Sequence, residues 1–201
     1  MRPIAVVMTV GAVCVGTTGG ALAPADGAGS PVRHLVVHHD PAQDVVYFPV
    51  DQTGRHRMPG ARDPDITRVG VRYGEHNVWV RLTLRRLRQA AGPAADKATR
   101  NWRFRIATPK EQFKYLGEVH PEDEAVPLIR AGDCRRLRLW FFYARAVVVT
   151  MVPRKCIGEP RWVRVGVVFQ RQPDGGLYDD AFSAAPAGEN SWGTLSRRVH
   201  K

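Results

Sequence analysis

Apolar and polar residues alternate with a period of two through the middle of this chain, a pattern that buries one face of a strand and cannot make the stripe of a helix. Residues 66 to 73 (ITRVGVRY) set Val69, Val71 and Tyr73 on one side and Arg68, Gly70 and Arg72 on the other. Residues 78 to 85 (VWVRLTLR) set Val78, Val80, Leu82 and Leu84 against Trp79, Arg81, Thr83 and Arg85. Gly74-Glu75-His76-Asn77 between them has the length and composition of a hairpin loop. With Tyr73 opposite Val78, Val71 meets Val80 and Val69 meets Leu82, so every apolar residue falls on one side and the register is self-consistent.

Three further segments alternate in the same way. Residues 102 to 106 turn Trp102, Phe104 and Ile106 inward and Arg103 and Arg105 outward. Residues 136 to 142 behave similarly, and residues 162 to 169 offer Val163, Val165, Val167 and Phe169 as a buried set. Shorter candidates lie at 33 to 38, 45 to 49 and 113 to 119, whereas the one helix-like stretch, 86 to 98, is broken by Gly92-Pro93. About eight short strands with little helical periodicity predict a single all-β domain, an antiparallel β-sandwich of jelly-roll type.

The ends of the chain point to export. Arg2 precedes an apolar run, Ile4 to Val15, and a small-residue stretch closes on Ala21-Leu22-Ala23, the order of a secretory signal with cleavage after Ala23. The run falls short of the ~20 apolar residues a membrane span needs. Gly11-Ala12-Val13 ahead of Cys14 lacks the Leu of a lipoprotein signal. We therefore expect a signal peptide over 1–23, a flexible leader over 24–31, the β domain over 32–182 and a disordered tail over 183–201, in a secreted, membrane-free monomer. Cleavage leaves Cys134 and Cys156 as an even pair in an oxidising compartment, which reads as one disulfide. Each is 11 residues from Arg145, where Ala144-Arg145-Ala146 reads as the turn of a second hairpin, so the bridge would clasp its open end.

Thirty Lys plus Arg against 19 Asp plus Glu give a net charge of +11. Arginine supplies 25 of the cations and lysine 5, as much a mark of GC-rich codon choice as of selection for guanidinium. Such a charge favours polyanionic partners, and outside the cell a polysaccharide or anionic cell-wall polymer is a better match than nucleic acid.

Three constellations carry chemistry. Asp40 and Asp44, Asp63 and Asp65, and Asp179 and Asp180 all stand at predicted strand ends, which gather at the poles of a sandwich. Asp40, Asp44, Asp65 and Asp180 are the candidate ligands for a structural Ca²⁺, a hard cation that takes several carboxylates, although no EF-hand spacing is present and Asp-Pro pairs also cap turns. No other cofactor is expected. His34 and His38 share a strand face about 13 Å apart at ~3.3 Å per residue, and His39 points the other way, so they read as ordinary surface or part-buried histidines.

The third constellation is the set of outward arginines on the predicted strands, mixed with Trp79, Trp140, Phe142 and Trp162. Arg72 falls opposite Trp79 in the hairpin register, within reach of a cation–π contact. Trp79, Arg72, Arg81, Trp140 and Arg138 are the candidate ligand-binding residues. The competing interpretation is a solvated sheet face whose aromatics are covered by loops such as 107 to 131.

G-x-S-x-G and H-E-x-x-H are absent, and the acidic loop Glu118, Glu122, Asp123 and Glu124 is weak ground for a glycosidase pair, so the balance leans away from an enzyme. Three functions remain open: a non-enzymatic extracellular module binding a glycan or anionic wall polymer, a secreted hydrolase using carboxylates at one pole, and a structural or interaction protein.

The order of motifs carries a resemblance. Asp40-Pro41 with Asp44-Val45, Pro64-Asp65-Ile66, Cys134, Val152-Pro153-Arg154-Lys155-Cys156-Ile157-Gly158, Pro160-Arg161-Trp162-Val163-Arg164-Val165-Gly166 and Tyr178-Asp179-Asp180-Ala181 follow one another. Over about residues 38 to 182 the chain resembles a group of uncharacterised secreted β-sandwich proteins of high-GC Gram-positive bacteria. The V-P-R-x-C-x-G-x-P-x-W-V-R-V stretch is its most specific part. The resemblance implies a secreted sandwich with one disulfide and no assigned activity.

Overall fold

The computed structural model describes residues 35–41, 43–49, 54–88, 98–120, 128–130, 134–172, 176–183 and 192–201. The expected signal peptide and leader lie outside them, as does most of the helix-like stretch. The described residues form an all-β domain of two antiparallel sheets. One has the order β1 (Leu35–His39), β4 (Ile66–Tyr73), β5 (Asn77–Leu84), β10 (Val147–Pro153), β9 (Arg138–Phe142). The other runs β3 (His56–Arg57), β2 (Val46–Phe48), β12 (Gly176–Asp180), β11 (Trp162–Gln172), β6 (Thr99–Ala107), β7 (Gln112–Val119), β8 (Leu128–Arg130), and β13 (Val199–His200) pairs with β11.

The β4–β5 hairpin has the register that the alternation demands: Tyr73 opposite Val78, Val71 opposite Val80, Val69 opposite Leu82. These residues are buried, and Trp102, Phe104, Ile106, Val163, Val165, Val167 and Phe169 of the second sheet join them in one core. Full burial of each such side chain is worth about 1.5–3 kcal/mol, so the period of two is also the main source of cohesion between the sheets. Trp102 lies opposite Gly117 in the β6–β7 ladder. A Cβ at Gly117 would sit 2.0 Å from the Trp102 ring, so glycine is what lets the indole lie across the neighbouring strand.

The second hairpin is also as expected. β9 and β10 pair from Val147–Phe142 to Met151–Arg138 across a short 3-10 turn, Tyr143–Arg145. Cys134 and Cys156 are joined at the open end with Cα atoms 5.4 Å apart. That bond belongs to an oxidising compartment, and no helix among the described residues is long and apolar enough to cross a membrane.

The C-terminal end departs from expectation. Residues 192–201 do not form a disordered tail; they lie along β11 and over its outer side. Arg164 donates through Nε to the Ser196 carbonyl at 2.8 Å, Ser196 Oγ accepts from the Val165 amide at 3.0 Å, and Arg105 donates to the Gly193 carbonyl. A Cβ at Gly166 would meet the Gly193 and Trp192 carbonyl oxygens at 2.9 Å, so the segment crosses β11 where a side chain is missing. Its anchors are mostly polar, from sheet guanidinium groups, Asp180 and backbone amides, with Val199 as its one fully buried apolar residue, which leaves little apolar signature in its sequence.

Candidate functional site

The outer faces of the two sheets have different fates. On the larger sheet the C-terminal segment takes up the outward arginines Arg105 and Arg164, and Arg198 stacks over Trp162 at 4.6 Å from the ring centroid. Lys114 stands over Trp192 at 5.4 Å. That half of the predicted arginine and aromatic platform is therefore occupied by the chain itself.

The smaller sheet stays open among the described residues. Its outward rows carry Leu35 and Val37 from β1, Arg68 and Arg72 from β4, Trp79 and Arg81 from β5, Val149 from β10, and Trp140 and Phe142 from β9. A trough of about 550 Å³ runs over the β1, β4 and β5 rows, and one of about 320 Å³ continues it across Trp79, Trp140 and Phe142. Arg68, Arg72 and Arg81 are exposed, and Trp140 and Phe142 keep 38 % and 44 % of their surface in solvent. None of the described loops covers this face.

Two details differ from the sequence-based expectation. Arg72 is opposite Trp79 in the ladder, but the Trp79 ring instead stacks on Trp140, 6.0 Å between centroids and 15° between planes. Two large flat rings that meet over β10, one from β5 and one from β9, bury more area against each other than an indole does against one guanidinium. Arg138 turns back, with Nη1 donating to the Leu137 carbonyl at 3.0 Å and to the Arg135 carbonyl at 3.3 Å. Arg72, Arg81, Trp79 and Trp140 thus stand together on the open face with Arg68, while Arg138 is engaged at its rim.

The aspartates gather at the pole where β1 ends, β4 begins and β12 ends. Asp40, Asp44 and Asp179 each bring a carboxylate oxygen within 4.8 Å of the others, and all three are buried. Of the four expected residues, Asp40 and Asp44 belong to this triad. Asp65 and Asp180 surround it but are engaged elsewhere. Asp65 accepts from the Gln43 amide at 3.2 Å and pairs with Arg85 Nε at 3.1 Å. Asp180 accepts from the Thr194 amide at 2.7 Å, from Thr194 Oγ1 at 2.8 Å and from the Phe182 amide at 3.1 Å. The partner missed by sequence reasoning is Asp179, and strand parity explains it. Asp179 pairs with Phe169, whose row faces the core, whereas Asp180 pairs with Val168, whose row faces out.

Crowding shows in the acidities. Burial pushes the Asp40 carboxyl up to about 9, with repulsion from Asp179, Asp44, Asp180 and Asp65 adding to it. Burial pushes Asp179 up to about 8 against the opposing Ile66 amide. Asp44, Asp65 and Asp180 are raised as well, each first by burial. Folded-state values above the ~3.9 of an unfolded aspartate mean that folding takes up protons, so this contribution to stability is complete below pH ~4 and is lost towards pH ~9. In chelator, the thermal midpoint is accordingly expected to fall as pH rises from about 4 to about 9. A midpoint that rises across that window would contradict the placement of these carboxyls.

The described histidines form no cluster. His38 Nε2 lies 4.0 Å from Asp40 Oδ1 and its ring packs 5.4 Å from Phe182, His39 is exposed, and His34 is outside the described residues. Glu118 is half-buried beside His120 at 3.7 Å, and residues 122–124 are also outside. Comparison with protein-family models, with curated proteins and with solved structures gives no match.

Proposed function

We propose that the protein is an exported binding module that holds an anionic glycan or wall polymer on the outer face of its five-stranded sheet. The observation that carries this reading is the contrast between the two outer faces. One is crossed over β11 by the chain's own C-terminal segment, while the other leaves the Trp79–Trp140 stack and the Arg68, Arg72 and Arg81 guanidinium groups open along one trough. Flat aromatic rings suit the apolar faces of sugar rings, and exposed guanidinium groups suit carboxylates or phosphates spaced along a polymer. The net charge of +11 draws such a ligand in, and the disulfide fits a protein working outside the cytoplasm.

The hydrolase reading is less well supported. The carboxylates that converge at the pole are buried, out of reach of a polymer chain, and they line neither part of the trough.

The purified protein should bind an acidic polysaccharide at low ionic strength and release it as salt rises. Trp140→Ala and Arg81→Ala should each weaken retention on the order of tenfold, the effect of losing ~1.4 kcal/mol at a binding contact. Arg197→Ala, which removes an exposed charge from the C-terminal segment, should change it little. Equal retention of all three variants would reduce the binding to net charge alone, and no retention at low salt would end the proposal.

A further inference from the structure

The carboxylate group at the pole has no part in the open sheet face, and its geometry asks for an occupant. Among the described residues, neither oxygen of Asp40 accepts a hydrogen bond and its side chain is 0 % exposed, while Asp44 is eased only by its own backbone amide and by the charge of Arg57. Asp179 accepts from the Ile66 amide on Oδ2. Buried carboxylate oxygens are normally satisfied by donors or by a cation. Arg57 lends Asp44 some positive charge, but every influence on Asp40 opposes its charged form. Arg85 is paired with Asp65 at 3.1 Å, and His38 Nε2 stays 4.0 Å from Asp40 Oδ1.

We propose that Asp40, Asp44 and Asp179 hold a divalent cation of the calcium type at this pole, with Asp65 and Asp180 supplying an anionic surround. The donor set is all oxygen, which suits a hard cation and offers nothing to a thiophilic metal. Oxygens on opposite sides of Ca²⁺ stand about 4.6–5.2 Å apart, against roughly 4.2 Å around Mg²⁺. The triad's oxygens lie within 4.8 Å of one another, close enough for one such ion to reach all three. Asp40 follows β1 of the five-stranded sheet and Asp179 lies in β12 of the other, so the bound ion ties the two sheets together beside Asp44.

The test is a thermal scan of the purified protein at pH 7.5, stripped with chelator and dialysed, in CaCl₂ up to about 10 mM, the range that reaches the ~10⁻⁴–10⁻³ M affinities of extracellular calcium modules. Parallel scans use MgCl₂ and NaCl of matched ionic strength. Calcium at about a hundredfold excess over its Kd should raise the midpoint by roughly 5–10 °C in a saturable way, and Mg²⁺ should raise it less. Asp44→Asn should abolish the calcium response while leaving the metal-free midpoint unchanged or higher, because it removes one repelling charge. A wild-type midpoint that is the same in CaCl₂ and in NaCl would overturn the proposal, as would an Asp44→Asn variant that responds like wild type. Should that variant fail to fold, calorimetric titration of the stripped wild-type protein with CaCl₂ decides alone: a saturable one-site isotherm supports the site, and its absence refutes it.

Discussion

Replacing Asp63 with alanine is expected to destabilise the domain by about 3–5 kcal/mol, a large share of the stability of a single domain. Asp63 Oδ2 stands 3.2 Å from Arg100 Nη2, and the Arg100 side chain is 0 % exposed. The same guanidinium donates through Nη1 to the Ala98 carbonyl at 3.1 Å. Asp63 also accepts from the Arg88 amide at 3.5 Å, so it links the loop before β4 and the end of β5 to β6. Removing the carboxylate leaves a cation in the interior without its counter-charge, and this burial cost, more than the attraction lost, sets the size of the effect. For a chain of this length the thermal midpoint should drop by roughly 10 °C or more. The double replacement Asp63→Leu with Arg100→Met should recover much of the loss, since it removes both charges and fills a similar volume. A single variant within about 1 kcal/mol of wild type would show that the pair is not buried in solution.

Reduction of the Cys134–Cys156 bond should cost about 3 kcal/mol, the chain-entropy value for a loop closed over a sequence separation of 22. The bond links a residue just before β9 to one just after β10, and five residue pairs of the β9–β10 ladder lie inside that loop. Loss should therefore appear first as fraying of β9, an edge strand of its sheet, and the Trp140 side of the trough should loosen with it. Equilibrium denaturation with and without reductant checks the size of the effect. An unchanged midpoint would mean that the ladder alone holds the hairpin.

Much of the fold could be read from the sequence because most strands obey a single rule. In β4 and β5 one face is core and the other is solvent, so the period of two is visible and only one register buries Val69, Val71, Val80 and Leu82 together. The cysteines add an independent check by lying symmetrically about the β9–β10 turn. The rule weakens in β11, where Gly166, Val168 and Gln170 on the outward row are as buried as the core row. What buries them is Tyr178 of the next strand, which packs on Val168 and bonds Gln170, and the C-terminal segment, which crosses Gly166. Gly166 is the available signal: a glycine inside a strand marks a close approach of another backbone.

The candidate sites are legible in residue type and less so in grouping. Arginine and tryptophan rows can be assigned to outward faces, yet nothing local tells that Arg105 and Arg164 are taken by the chain's own C-terminal residues while Arg72 and Arg81 are left open. The aspartates can be assigned to a pole. Choosing among them needs the β11–β12 register, which turns Asp179 inward and Asp180 outward.

One sheet face open for ligand and the other crossed over β11 by the chain is the contrast on which the proposed binding function depends. Hydroxyl-radical footprinting of the protein with and without an acidic polysaccharide at low salt reads both faces at once. Trp140 and Phe142 should be oxidised in the free protein and protected when polymer is bound, with Trp162 and Trp192 reacting alike in both states. Protection confined to Trp162 and Trp192, or no ligand-dependent change at Trp140, would contradict that function.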